Sequence, residues 1–175
     1  MTDNVTATPS PERVDPPLVA DERTMLDAWL DFHRATLLQK CAGLDATQLA
    51  TRSVAPSGLS LLGLVRHMTD NERGWFGEFA GAGELDVYGT PDQPDAGFDD
   101  AEPLRAEADL AAYRAEIEVC RRLIAGHDLD EQREFARQGT VFSLRWIYVH
   151  MLEEYARHNG HADLLRESID GATGD

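Results

Sequence analysis

Apolar positions along the chain group into four amphipathic helices. Over DERTMLDAWLDFHRATLLQKCAG, residues Met25, Trp29, Phe32, His33, Thr36 and Leu37 recur mostly at three- and four-residue steps. They share one face of a helix that Asp21 opens and Gly43 closes. A second helix starts at Ser57 or Ser60 and keeps Leu61, Leu64, Val65, Met68, Trp75, Phe76 and Phe79 on one side before a run of glycines. Residues 81–105 carry Gly, Pro and acidic residues with no period. They predict a long loop, of the kind that serves as a lid or binding loop more often than as a plain connector. From about Asp109, the stripe Leu110, Tyr113, Ile117, Cys120 and Ile124 predicts a third helix that ends at Gly126. Residues 127–142 are polar and indecisive. Ser143 then caps a long fourth helix with Leu144, Ile147, Met151, Tyr155, Ala162, Leu165 and Ile169, which stops at Gly171. No strand alternation and no internal repeat is readable, so the pattern predicts an all-α four-helix bundle. Its expected extent is a single domain over residues 21–171, after a disordered Pro-rich leader at 1–20 and before a tail at 172–175.

Composition narrows the function classes. A chain of 175 residues can bury a core without disulfides or metals, so a bound metal would serve function rather than hold the fold together. No apolar run approaches the ~20 residues of a membrane span. The first twenty residues lack a basic start and an apolar segment, and so read as a leader rather than a secretion signal; the expected address is the cytoplasm. A net charge of −16 repels phosphate backbones and anionic lipid, which excludes nucleic acid and membrane as expected partners. Cys41 and Cys120 form no CxxC pair and read as packed thiols in a reducing compartment. Lys40 is the only lysine beside fifteen arginines, a bias that points to a high-GC bacterial genome.

Charge and chemistry concentrate in the fourth helix, in HMLEEYARHNGH. At helical spacing His150, Glu154, His158, His161 and Leu165 fall within about 80° of one another, beside Ile147 and Met151, so the polar stripe shares the apolar face. Glu153 falls on the solvated side and Arg157 at its border. Glu154 and His158 stand at i and i+4, where both can reach a single ion; the same spacing also occurs as a simple surface pair. On the second helix His67 lies at the edge of the apolar face, the position of an ordinary boundary histidine or of a third ligand. Asn71 lies closer to the centre of that face, and Glu72 near the centre itself. A buried carboxylate there must be close to a cation or paired with an arginine from another helix. His161 and Glu72 are thus candidates for acid–base roles, and Arg145 and Tyr155 for holding an anionic substrate.

His67 followed by NERGWF, together with RWIYVHMLEEYARHNGHADLLRESIDG, resembles the DinB-like four-helix metalloprotein superfamily, and within it the actinobacterial branch named after the mini-circle protein. The resemblance covers roughly residues 21–171. It implies a divalent metal held by one histidine of the second helix and two ligands one turn apart on the last, here His67, Glu154 and His158. The Glu-x-x-x-His order looks like that of the mycothiol-dependent maleylpyruvate isomerases and departs from the commoner His-x-x-x-His, which leaves His150 and His161 as substitutes or supporting residues. Zinc suits this donor set first, and nickel or iron also fit it. The implied activity is transfer or isomerisation of a small-molecule substrate through a low-molecular-weight thiol, mycothiol or its relative bacillithiol. Superfamily members are often dimers, so a homodimer is the implied assembly. Metal-dependent hydrolysis and a non-enzymatic binding bundle remain alternatives at this stage.

Overall fold

Each long helix is opened by a side chain that the sequence supplies for the purpose. In the computed structural model, which describes residues 10–83, 85–135 and 139–174, α1 spans Glu22–Cys41 and begins where Asp21 accepts from the Thr24 amide. A short α2, Ala46–Ala50, is fixed by a reciprocal capping box between Asp45 and Gln48. Ser60 caps α3, Leu61–Glu72, which runs without a break into a π-helical turn at Arg73–Gly77. After α4 (Ala96–Asp99) and a 3-10 turn at Pro103–Arg105 come α5 (Ala106–Ile124), strands β1 (Gln132–Phe135) and β2 (Thr140–Ser143), and α6 (Leu144–Asp170). Ser143 caps α6 through the Trp146 amide, and Gly171, at φ 76°, ends it in the left-handed conformation that glycine adopts without strain. The protein is mainly α-helical. Helix α1 packs along α6 and α3 along α5, while α3 also touches α1 and α6. Among the described residues no helix is long and apolar enough to cross a membrane.

Three expectations need correction. The undecided stretch 127–142 holds an antiparallel hairpin, with Phe135 opposite Thr140 and Arg133 opposite Phe142. Two four-residue strands are too short to display alternation. What stabilises them is the packing of Phe135 and Phe142, 4.9 Å apart, against Trp75 of the π-helical turn. Segment 81–105 is likewise not structureless. Arg66 of α3 grips α4 through the carbonyls of Gly97 (2.8 Å) and Ala96 (3.2 Å), and its guanidinium also meets Asp109 at 3.2 Å. Asp109 belongs to α5, which starts one turn earlier than the apolar stripe suggested. Finally, residues 10–20 lack regular structure but lie against α1. Arg13 stacks over the Phe32 ring at 4.6 Å, and the Pro11 carbonyl accepts from Gln39. Residues 1–9, the rest of the expected leader, lie outside the described residues.

Between the long helices sits one polar network. Glu72, fully buried on α3, receives Arg34 of α1 in a two-pronged contact at 2.8 and 2.6 Å, and accepts the Tyr155 hydroxyl of α6 at 2.7 Å. Tyr155 in turn meets the hydroxyl of Tyr113 on α5 at 2.8 Å. Burial alone would lower the Arg34 pKa, but the charge of Glu72 holds it well above the ordinary value. Removing Glu72 leaves buried Arg34 with only the half-exposed Asp31, 2.9 Å away, as a counter-charge, and breaking a buried pair of this kind costs up to about 3–5 kcal/mol. Glu72→Gln should therefore lower the unfolding free energy in urea by about that amount, whereas Tyr155→Phe, which removes one hydrogen bond, should cost about 0.5–1.5 kcal/mol. Equal losses in the two variants would show that the ion pair does not dominate the network.

Candidate metal centre

Helices α3 and α6 face each other along a ladder of polar side chains. His67 of α3 meets His158 of α6 edge to face, with ring centroids 4.7 Å apart. One oxygen of Glu154 lies 3.7 Å from His67 Nε2 and 3.4 Å from His158 Nε2. One donor atom from each of the three lies within 4.8 Å of the other two. The second Glu154 oxygen turns outward to Arg157 at 3.4 Å. Behind His158, its Nδ1 approaches His161 Nδ1 at 3.4 Å, so His161 orients the ring while leaving Nε2 directed at Glu154.

The α4 segment roofs this cluster. Phe98 stacks on the His67 ring at 4.6 Å, and the backbone of α4 passes so close to α3 that a Cβ on Gly97 would meet Asp70 at 3.4 Å and the His67 amide at 3.5 Å. Asp70 binds the next loop, accepting from the amides of Tyr88 (2.9 Å) and Gly89 (3.0 Å); burial raises its pKa against the pull of these amides. Beneath the roof Asn71 places its amide 2.9 Å from His67 Nε2. The amide donates to the Nε2 lone pair, which places the ring proton on Nδ1.

Burial is also what sets the charge of the cluster. It depresses the pKa of His67 to about 4, partly opposed by Asp95, and that of His158 to about 4, where the proximity of His67 adds to the effect and Glu154 opposes it. Both imidazoles are therefore neutral at neutral pH, the form in which histidine ligates metals. Two neutral imidazoles and a carboxylate with converging donor atoms fit a divalent cation. His150, Glu153 and Glu154 form a second close group, but all three come from α6 alone, and Glu153 is half exposed and paired with Arg157.

The remaining expected site residues lie elsewhere. Glu72 and Tyr155 belong to the buried network, where Arg34 and Tyr113 already engage them, and neither lines the cleft at His67. Arg145 sits on the outside of α6 between Glu22 and Asp130, more than two turns before Glu154. His150 stands one turn from Glu154 between Trp146 and Trp75, at centroid distances of 5.0 and 4.6 Å. Sequence reasoning did not find Phe98 or Asp70, which act across the aperiodic loop and leave no spacing signal. Asn71 was legible only as a polar residue on an apolar face. A cleft of about 540 Å3 opens at His67 between α3 and the 85–94 loop. A hollow of about 590 Å3 lies where the 11–17 segment crosses α1 and α5, and none of the three clustered residues lines it.

The depressed histidines predict a pH dependence for the metal-free protein. Their unfolded forms take up protons as pH falls through about 6.5, whereas the folded forms resist until about 4, so stability present above 6.5 is lost progressively between those values. The melting temperature of the wild type should fall across this window more steeply than that of His67→Gln. Identical slopes would show that the imidazoles are not held neutral.

Comparison of the sequence with known proteins matches the chain to one family model. The family model described as mycothiol-S-transferase covers residues 25–171, from the first turn of α1 through the end of α6, and so takes in the whole cluster and its roof. No curated protein and no solved structure matches the chain. With most of its length under that match, the chain belongs to the mycothiol-S-transferase family of the DinB-like superfamily.

Proposed function

We propose that the protein is a metal-dependent thiol transferase in which His67, Glu154 and His158 hold one divalent cation, zinc by preference, and mycothiol supplies the thiol. The observation that carries this reading is the convergence of the three donor atoms within 4.8 Å across two helices. Residues 21–171 form a single domain in this reading, with α1, α3, α5 and α6 as its four-helix bundle. Thiols of this class are kept reduced in the cytoplasm, where we place the reaction.

When bound, the cation supplies a positive charge that lowers the pKa of a coordinated thiol, so that the nucleophilic thiolate forms near neutral pH. The chain's own residues do the rest. His67 and His158 present neutral lone pairs, and Glu154 contributes one negative charge, which leaves half of the dication's charge for an incoming anion. His161 steadies His158 through its Nδ1 and, half-buried behind it, is the residue we assign to receiving the proton released by the thiol. Phe98 covers the His67 face and excludes water from it. Cys41 and Cys120 are buried thiols whose pKa burial pushes up, Cys41 to about 12, so neither serves as the nucleophile.

Elemental analysis of protein purified without a histidine tag should find about one equivalent of metal in the wild type and little in His67→Ala or Glu154→Ala. Consumption of mycothiol in the presence of an electrophile should fall in both variants by more than the roughly 10–100-fold that loss of a supporting residue causes. Metal content no higher in the wild type than in the variants would overturn the reading. Turnover that needs no added thiol would assign hydrolysis instead.

A further inference from the structure

The cleft beside His67 has a chemical character of its own. Its floor is Asn71 on α3 and its far wall is the loop that Asp70 clamps through the amides of Tyr88 and Gly89. That clamp fixes the two polar residues on either side of it, Asp86 and Thr90, both exposed toward solvent. It also leaves little freedom in the loop: a Cβ on Gly89 would meet the Pro94 carbonyl oxygen at 3.0 Å. Leu85, Pro91 and Pro94 supply apolar surface between the polar groups. At about 540 Å3 the cleft lies in the range of small-molecule sites, roughly 300–1,000 Å3.

Charge decides what the cleft accepts. Among the described residues lining it none is basic, two are aspartates, and the chain as a whole carries −16. A carboxylate or phosphate entering here would lose hydration without gaining a cation, so anionic ligands are rejected. An ionised carboxylate only accepts hydrogen bonds, whereas a threonine hydroxyl and an asparagine amide both donate and accept. The complementary ligand is uncharged, rich in hydroxyl donors, and has C–H faces to lay on leucine and proline.

We propose that this cleft is the binding site for the uncharged glycosyl-cyclitol portion of the thiol co-substrate, with Asp86 and Thr90 holding its hydroxyl groups and Asn71 marking the passage to the metal cluster. This rests on the thiol-transferase reading and specifies where the non-reacting part of that thiol sits. Its binding energy holds the sulfur end beside His67, so recognition and chemistry are divided between the loop and the helices.

The test uses the full-length, metal-loaded protein and three probes in calorimetric titrations: mycothiol; N-acetylcysteine, which has the thiol but no sugar; and N-acetylglucosaminyl-inositol, which has the sugars but no thiol. Asp86→Ala should weaken mycothiol and the sugar probe by roughly tenfold or more, the scale of one hydrogen bond to a charged group, and leave N-acetylcysteine unchanged. Thr90→Val should show a smaller loss with the same pattern. The proposal is overturned if the sugar probe does not bind the wild type, if mycothiol binding is unaltered in Asp86→Ala, or if both thiols weaken equally. If neither thiol binds the wild type while the sugar probe binds in an Asp86-dependent way, the cleft stands and the thiol-transferase reading falls.

Discussion

The buried contact between Arg34 and Glu72 sets the geometry on which everything else depends. With Tyr155 and Tyr113 it takes one side chain from each of the four long helices, and it leaves Glu72 no exposed surface. Apolar packing among Leu, Val and Met carries no directional bond that singles out one register. A two-pronged guanidinium–carboxylate contact does single one out, since both hydrogen bonds are lost together when the helices slip. Tyr155 follows Glu154 directly, and Glu72 lies little more than one turn after His67. The network therefore fixes the two helix segments that carry the clustered donors without touching the donors themselves.

How far the sequence is legible follows from the range of the interactions involved. Helical periodicity is local, so α1, α3, α5 and α6 are readable, and the caps at Asp21, Ser60, Ser143 and Gly171 mark their ends. The pairing of Glu154 with His158 is local too, being one turn of one helix. The meeting of His67 with that pair is not. Only the resemblance suggested it, and it takes the packing of α3 against α6 to place His67 there. The alternatives weighed for Glu72 show the same limit: spacing says that a carboxylate is buried, but only tertiary structure says that Arg34, not a cation, is its partner. The hairpin and the α4 roof escape the pattern for a related reason. Their stability comes from contacts between distant segments, Phe135 and Phe142 on Trp75 and Arg66 on the α4 carbonyls, and their own residues carry almost no period.

The aperiodic segment also forms one wall of the cleft beside the cluster. A rigid helical pair can present three ligands, but a bare pair would leave them open to water and to any anion. Arg66 and Asp70, both on α3, draw the segment back over the helix that carries His67. The Arg66 charge is satisfied by the carbonyls of α4 and by Asp109, so it does not neutralise the cleft, which Asp70 and Asp86 line. The cleft is left acidic, in keeping with the negative field of the whole chain, and this is what the proposed preference for uncharged ligands rests on.

Asn71 is where these two parts meet. Its amide approaches His67 Nε2 at 2.9 Å, and the same side chain lines the cleft. A cation taking the Nε2 lone pair must displace that amide, because one lone pair cannot serve both. The released amide then turns to the cleft it already borders, where a hydroxyl or carbonyl of a bound ligand can accept it. In the proposed reading, metal binding and ligand binding would be coupled in sign through one short side chain: the ion would free a donor for the ligand, and a ligand that engages Asn71 would leave His67 more open to the ion. Coupling of this kind is reciprocal by thermodynamic necessity, so the affinity each gains from the other is the same.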